Sequence, residues 1–269
     1  MRLRILFLPV VAVLALSGCQ TAKSKADAKA AETQAASTQS DRLMKLAADI
    51  EARGESETAI ALYQRATAMP DAKPTAFVKA GEAYMRAGYS TEAVQAYRAA
   101  LSKAPNDGSA MLGLGSAMIE TGDVEAGIRA LSQAAPIVNT SRAYNRLGVA
   151  QTFAGQVDQA QVTFGQALRL EPGDLDIQTN MALAAALGGN AATAIPLVQK
   201  VEAAPGAQLH HKRNVVVVYG LLGQADHIKA SPPTGLSTKE INTLLSRAKS
   251  IRAKGSTQAK AKALGSIVG

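Results

Sequence analysis

The sequence predicts an all-α solenoid of about six helix-turn-helix repeats, closed by a C-terminal capping helix. Three observations predict it. A glycine recurs at Gly54, Gly88, Gly122, Gly155, Gly189 and Gly223, in steps of 33 or 34 residues. Seven residues before each stands a second landmark, at Ala47, Gly81, Gly115, Gly148, Ala182 and Val216. Aromatic residues make up only 4% of the chain and Trp is absent, while Ala and Gly abound; small side chains suit closely packed helices and give little surface for stacking bases. A plain helical bundle has no need of such a period.

Two stretches define the repeat. GEAYMRAGYSTEAVQAYRAALSKAP (Gly81 to Pro105) and GVAQTFAGQVDQAQVTFGQALRLEP (Gly148 to Pro172) agree at six landmarks in register. Gly81 and Gly148 carry no Cβ, so the first helix can approach the second where Ala93 and Ala160 face it. Gly88 and Gly155 fall where the first helix must end, and glycine tolerates the left-handed conformation common there. Tyr97 and Phe164 fill the space between successive repeats, and Pro105 and Pro172 stop the second helix.

The other repeats are less regular. In the third, Gly127 stands where Ala is expected and Pro136 falls ahead of register, predicting a short or bent second helix. Pro196 lies inside the second helix of the fifth and predicts a kink. The sixth keeps its first helix, RNVVVVYGLLG, but its second stops early at Pro232 and Pro233. Ser237-Thr238-Lys239-Glu240 then has the form of a capping box opening a final, polar helix that closes the array. The pattern resembles the tetratricopeptide repeat (TPR), a helix-turn-helix unit of about 34 residues.

The two ends read differently from the repeats. MRLR followed by the uncharged run ILFLPVVAVLALSG (Ile5 to Gly18) is a positive n-region and an apolar h-region, too short to span a bilayer comfortably. Leu16-Ser17-Gly18-Cys19 resembles the lipobox of bacterial lipoproteins. That resemblance implies cleavage after residue 18 and a covalent lipid on Cys19; three acyl chains would anchor stably, since each buried methylene contributes ~0.8 kcal/mol. Gln20 after the cysteine implies sorting to the outer membrane, periplasmic face. Residues 19–40 follow as the lipidated Cys and a tether, with no large apolar residue in QTAKSKADAKAAETQAASTQ. Such a tether reaches about 25 Å if flexible, from ~5–6 Å times the square root of its length; its alanines equally allow a frayed helix. The solenoid is assigned to 41–230 and a capping helix with a basic tail to 231–269.

Charge and motif content narrow the function. With 29 Lys+Arg against 21 Asp+Glu the formal charge is +8, which admits nucleic acid, anionic lipid or an acidic partner. Export removes most nucleic acid from that set. Cys19 is the single cysteine, so no intramolecular disulfide can form. Adjacent His210 and His211 point in different directions on a helix and make no ready metal pair; His227 stands alone. No nucleophile motif occurs, and GLGSAM (Gly113 to Met118) falls inside a repeat helix rather than in a phosphate loop. The expectation is a protein without catalytic residues, metal or cofactor, and without a small-molecule substrate.

What remains is surface. In the TPR family the first helices line the concave face, with ligand-facing positions three before and one after the first landmark. On this chain they are Met44, Ala48, Val78, Glu82, Leu112, Ser116, Asn145, Val149, Thr179, Leu183, Arg213 and Val217, with Met85, Ile119 and Phe153 one turn further on. The paired Lys and Asn of the family's carboxylate-clamp version are absent there. The groove reads as largely apolar, suited to an amphipathic helix or an apolar peptide. Packing between neighbouring helices is the equally open role for the same residues. The basic end, Lys239, Arg247, Lys249, Arg252, Lys254, Lys260 and Lys262, admits contact with lipid or peptidoglycan, or plain solvation.

NMALAAALGGN from Asn180 and RNVVVVYGLLGQAD from Arg213 resemble the TadD family of TPR lipoproteins, which serve tight-adherence (Flp) pilus assembly. The resemblance implies a pilotin-like scaffold at the outer membrane that binds the pilus secretin as its protein partner. Other TPR lipoproteins act in outer-membrane protein insertion or recruit cell-wall hydrolases, and the repeats are compatible with those roles too.

Overall fold

The computed structural model describes residues 38–268; the expected leader, Cys19 and most of the tether lie outside the described residues. Among the described residues there are fourteen helices and no strand. The first helices of the six repeats are α1 (Gln39–Ala52), α3 (Pro74–Arg86), α5 (Gly108–Glu120), α7 (Ser141–Phe153), α9 (Leu175–Leu187) and α11 (Leu209–Leu222). Their partners are α2 (Ser56–Thr67), α4 (Ser90–Lys103), α6 (Val124–Val138), α8 (Val157–Leu170), α10 (Ala191–Ala203) and α12 (Ala225–Ala230). Then come α13 (Thr238–Arg252) and α14 (Thr257–Val268). No helix among them is long and apolar enough to cross a membrane.

One turn is used six times. The recurrent glycines all have positive φ, from +76° at Gly189 to +91° at Gly122. The residue after each glycine returns its N–H to a carbonyl five residues back, as in Tyr89 N–H to Tyr84 O at 2.9 Å and Gln156 N–H to Gln151 O at 2.8 Å. That closure satisfies carbonyls left open at the end of the first helix and turns the chain straight into the second. All six first landmarks are buried, Ala47, Ala182 and Val216 at 0% exposure.

Packing within and between repeats depends on rings set against glycines. The space that a Cβ at Gly81 would fill belongs to Tyr97 rather than to Ala93: the ring's Cε1 and Cζ lie 2.8 Å from that point. The same ring presses on Gly113 of the next repeat, so Tyr97 joins two repeats at once. Phe164 is fully buried and stands 2.7–2.9 Å from the Cβ position of Gly148. Rings of this size contribute much of the packing in a core that is otherwise mostly alanine.

One expectation about helix length needs correction. α6 is not short; it runs 15 residues, with Pro136 in its last turn and Asn139 closing it in the left-handed conformation, φ +48°. A proline there removes one late hydrogen bond, and the carbonyl it orphans belongs to exposed Ser132. Pro196 lies inside α10, as expected, and the helix runs on to Ala203. α12 does stop after six residues.

The C-terminal end has the largest continuous core, from Val157 to Leu264. Ser237 caps α13 by accepting the Glu240 N–H at 3.2 Å, and the helix buries Ile241, Leu245, Ala248 and Ile251 against α11. Arg213 of α11 reaches Glu240 at 2.7 Å across that contact. The residues after α13, expected as a basic tail, are not an irregular extension. They form α14 instead, which turns back to pack on α7 and α9.

Candidate protein-binding groove

First helices α3, α5 and α7 together line a cleft of about 730 Å³. Its floor is apolar, from Met85, Leu112, Ile119, Val149 and Phe153. A 3.6-residue period places these side chains on one face of successive helices, and the short glycine turns keep the helices near enough to share it. Phe153 is 39% exposed at the end of α7, a large ring left partly open to water.

Charges rim the floor. Glu82 is tied to Lys79 at 2.7 Å, and Arg86 reaches across to Glu51 of the first repeat through Nε at 2.8 Å. Glu120 accepts from Ser90 Oγ at 2.6 Å. No carboxylate pairs with Arg142 or Arg146 among the described residues; Arg146 Nη1 donates to Ser116 Oγ at 3.3 Å. These two guanidiniums offer unspent donors at the edge of an apolar surface. Burial, with the Glu82 carboxylate second, pushes the Tyr97 phenol up to about 12, so it stays neutral in the cleft wall.

The positions expected to face a ligand are dispersed by the structure. Glu82, Met85, Leu112, Ile119, Val149 and Phe153 share the cleft. Val78 is buried with Ala93, Val94 and Tyr97 in the core. Met44 packs half-buried against Ala47 and its neighbours. Asn145 accepts through Oδ1 from Asn180 Nδ2 at 3.1 Å, linking α7 to α9. Arg213 is engaged with the capping helix. Leu183 is 5% exposed and borders a smaller cavity of about 240 Å³, shared with Val149, Phe153, Asn180 and Leu264.

Sequence reasoning missed Ser109, Arg86, Glu120, Arg142 and Arg146, all of which line the cleft. The signal was available. Ser109 and Arg142 stand six residues before their landmarks, one helical turn ahead of the positions considered, while Arg86 and Glu120 stand five after, the register that Phe153 holds in the fourth repeat.

The histidines also need correction. His210 and His211 do converge: each Nε2 lies 2.8 Å from Asp176 Oδ1, and the ring centroids are 3.9 Å apart with the planes tilted by 45°. The two ligand-type nitrogens and the carboxylate oxygen all fall within 4.8 Å of one another. Buried His211 accepts the Gln208 N–H on Nδ1 at 2.9 Å, so the proton of the neutral ring sits on Nε2, facing Asp176 Oδ1. The arrangement is thus a hydrogen-bonded clasp between the fifth and sixth repeats. Hydrogen bonding from His210 first, and from His211 beyond it, holds the Asp176 carboxyl below its usual range against the opposing effect of burial.

Comparison with known proteins places this geometry. A family model described as the cilia and flagella-associated protein 70 middle TPR-like domain matches residues 43–148, and one described as tetratricopeptide repeat matches 145–208. Curated proteins show no match to the chain. Among solved structures, MamA from Desulfovibrio magneticus RS-1 is 18% identical over 61% of this chain and 93% of its own, with TM-score 0.56. PilF of Pseudomonas aeruginosa is 17% identical over 76% and 96%, TM-score 0.58. YrrB, described as a TPR protein with an unusual peptide-binding site, is 21% identical over 70% and 90%, TM-score 0.52. At such identities the shared property is the fold. The fold is a tetratricopeptide-repeat solenoid, an architecture that binds protein partners, and both matched models describe repeat modules rather than catalytic domains.

Proposed function

We propose that this tetratricopeptide-repeat solenoid is an outer-membrane-anchored, pilotin-like assembly factor that holds a segment of a Flp-type pilus secretin in its groove. The observation that carries the reading is the cleft on α3, α5 and α7, whose apolar floor and two carboxylate-free arginines suit an amphipathic segment with acidic residues. The lipobox resemblance at Cys19 and the TadD-like stretches at Asn180 and Arg213 supply the location and the client class.

The mechanism is tethering. Lipid on Cys19 holds the solenoid at the periplasmic face, and the groove captures the client there. Confinement beside the membrane raises the client's effective concentration at its destination without any new contact. Nothing needs to be catalysed, and the attached group this reading calls for is the covalent lipid on Cys19.

The test is a gentle detergent pull-down of the full-length protein from outer membranes, with Cys19→Ala as the unlipidated control. Enrichment of the pilus secretin, lost or mislocalised in the control, is the expected result. Recovery of barrel-insertion factors or cell-wall hydrolases without secretin would overturn the pilus assignment.

A further inference from the structure

We infer that α14 is a built-in, displaceable occupant of the client groove, and that the groove's preferred ligand is a helix presenting the same small-x-x-Leu stripe. This rests on reading the first-helix face as the client groove.

The last helix sits where a ligand would. α14 packs on α7 and α9, first helices of the fourth and fifth repeats. Leu264 is 1% exposed and borders the cavity formed by Val149, Phe153, Phe164 and Leu183. Ala261, one turn earlier on the same face, is fully buried. Gly265 faces the Phe153 ring, where a Cβ would stand 3.7 Å from Cε1. The helix enters this seat over the α7–α8 turn, with Gln258 Cα only 2.8 Å from where a Cβ on Gly155 would lie.

The occupied and open parts of the groove are continuous. Val149 and Phe153 border both the cleft and the cavity that holds Leu264. A helix long enough to run the groove from α3 to α9 therefore meets α14 at Phe153. Either it stops there or α14 leaves.

The construction of α14 favours departure. Between residues 257 and 265 only Ala261 and Leu264 are buried, whereas α13 buries four side chains against α11. Ala253 to Ser256 join the two helices, and a Cβ on Gly255 in that joint would meet nothing within 4 Å. A helix on a short, glycine-containing joint has a high effective concentration at its own site and yet a shallow seat. Such a contact sets a threshold: weak or mismatched ligands fail to displace it, and a longer helix with the same stripe succeeds.

The probe is a fluorescent peptide of residues Ser256–Gly269, titrated into the full chain in detergent and into the full-length Leu264→Asp variant. The charged residue unseats α14 and leaves the groove intact. The expected result is saturable binding to the variant and at least about tenfold weaker binding to the unaltered chain, with no binding by a peptide that itself carries Leu264→Asp. Equal binding to both chains, or no binding to a variant that keeps its solenoid helicity, would overturn the inference. Amide exchange on the unaltered chain decides the matter should the variant unfold. Amides of 259–265 are expected to exchange at least about tenfold faster than those of α13, and equal protection overturns displaceability. Peptide failure with secretin capture intact sinks the role of α14 alone, while peptide binding without secretin capture sinks only the pilus assignment.

Discussion

Gly115 and Gly127 face each other across α5 and α6: a Cβ on Gly115 would lie 2.8 Å from the Gly127 carbonyl oxygen, and one on Gly127 would lie 2.7 Å from that of Gly115. The corresponding second-helix position is alanine at Ala59, Ala93, Ala160 and Ala194, all buried. The third repeat has traded that methyl for a closer approach of its two backbones, and Ile119 Cγ1 closes the remaining space at 2.6 Å.

Restoring the repeat's usual residue is therefore expected to do harm. Gly127→Ala gains about 1 kcal/mol in helix propensity but overpacks a backbone contact, which typically costs about 1–3 kcal/mol. Urea unfolding should show a net loss of up to about 2 kcal/mol. A gain would mean that the two helices have room to separate.

At the fourth repeat the same reasoning involves a ring. Gly148→Ala places a methyl against Phe164, 2.7 Å from Cε1; overpacking of about 1–3 kcal/mol against about 1 kcal/mol of helix propensity leaves a net cost of up to about 2 kcal/mol. Phe164→Leu shortens the opposing side chain. In that background Gly148→Ala should cost at least about 0.5 kcal/mol less, a coupling that a double-mutant cycle measures directly.

The clasp of Asp176 with His210 and His211 has a pH signature. A carboxyl whose folded pKa lies below its ordinary value of 3.8 stabilises the fold above that value and loses the contribution as pH falls through the folded pKa. Asp176→Asn should therefore lower the melting temperature near neutral pH and reduce its acid dependence below about pH 4. Parallel melting curves for the two proteins would argue that the clasp contributes nothing to the joint between α9 and α11.

Groove chemistry is separable from stability. Arg142 and Arg146 are exposed and carry no carboxylate partner among the described residues, so Arg142→Glu with Arg146→Glu should change unfolding stability by no more than about 0.5 kcal/mol. Secretin capture should fall at least about tenfold and become less sensitive to salt, as expected when rim charges steer a client. Unchanged capture would move the client off this cleft.

Much of the architecture was legible in the chain itself. The period of 33 or 34 residues located all six turns, because a left-handed residue at a tight helix end selects glycine almost regardless of surroundings. Ser237 announced α13 for the same local reason, a hydroxyl bonding a backbone N–H three residues on. Half of the groove was legible too, through the one face that successive first helices share.

Tertiary structure decided what depends on distances between segments far apart in sequence. Val78 and Leu183 went to the core while Leu112 and Ile119 stayed at the cleft, although all four are apolar residues on first helices, because burial depends on what packs opposite. His210 and His211 became partners through Asp176, 34 and 35 residues away. Residues 257–268 carry little periodic signal and a surplus of lysine, so only the seat offered by α7 and α9 makes them a docked helix. Local chemistry determines turns and caps; the competition among apolar surfaces for one another is settled only when the whole solenoid is assembled.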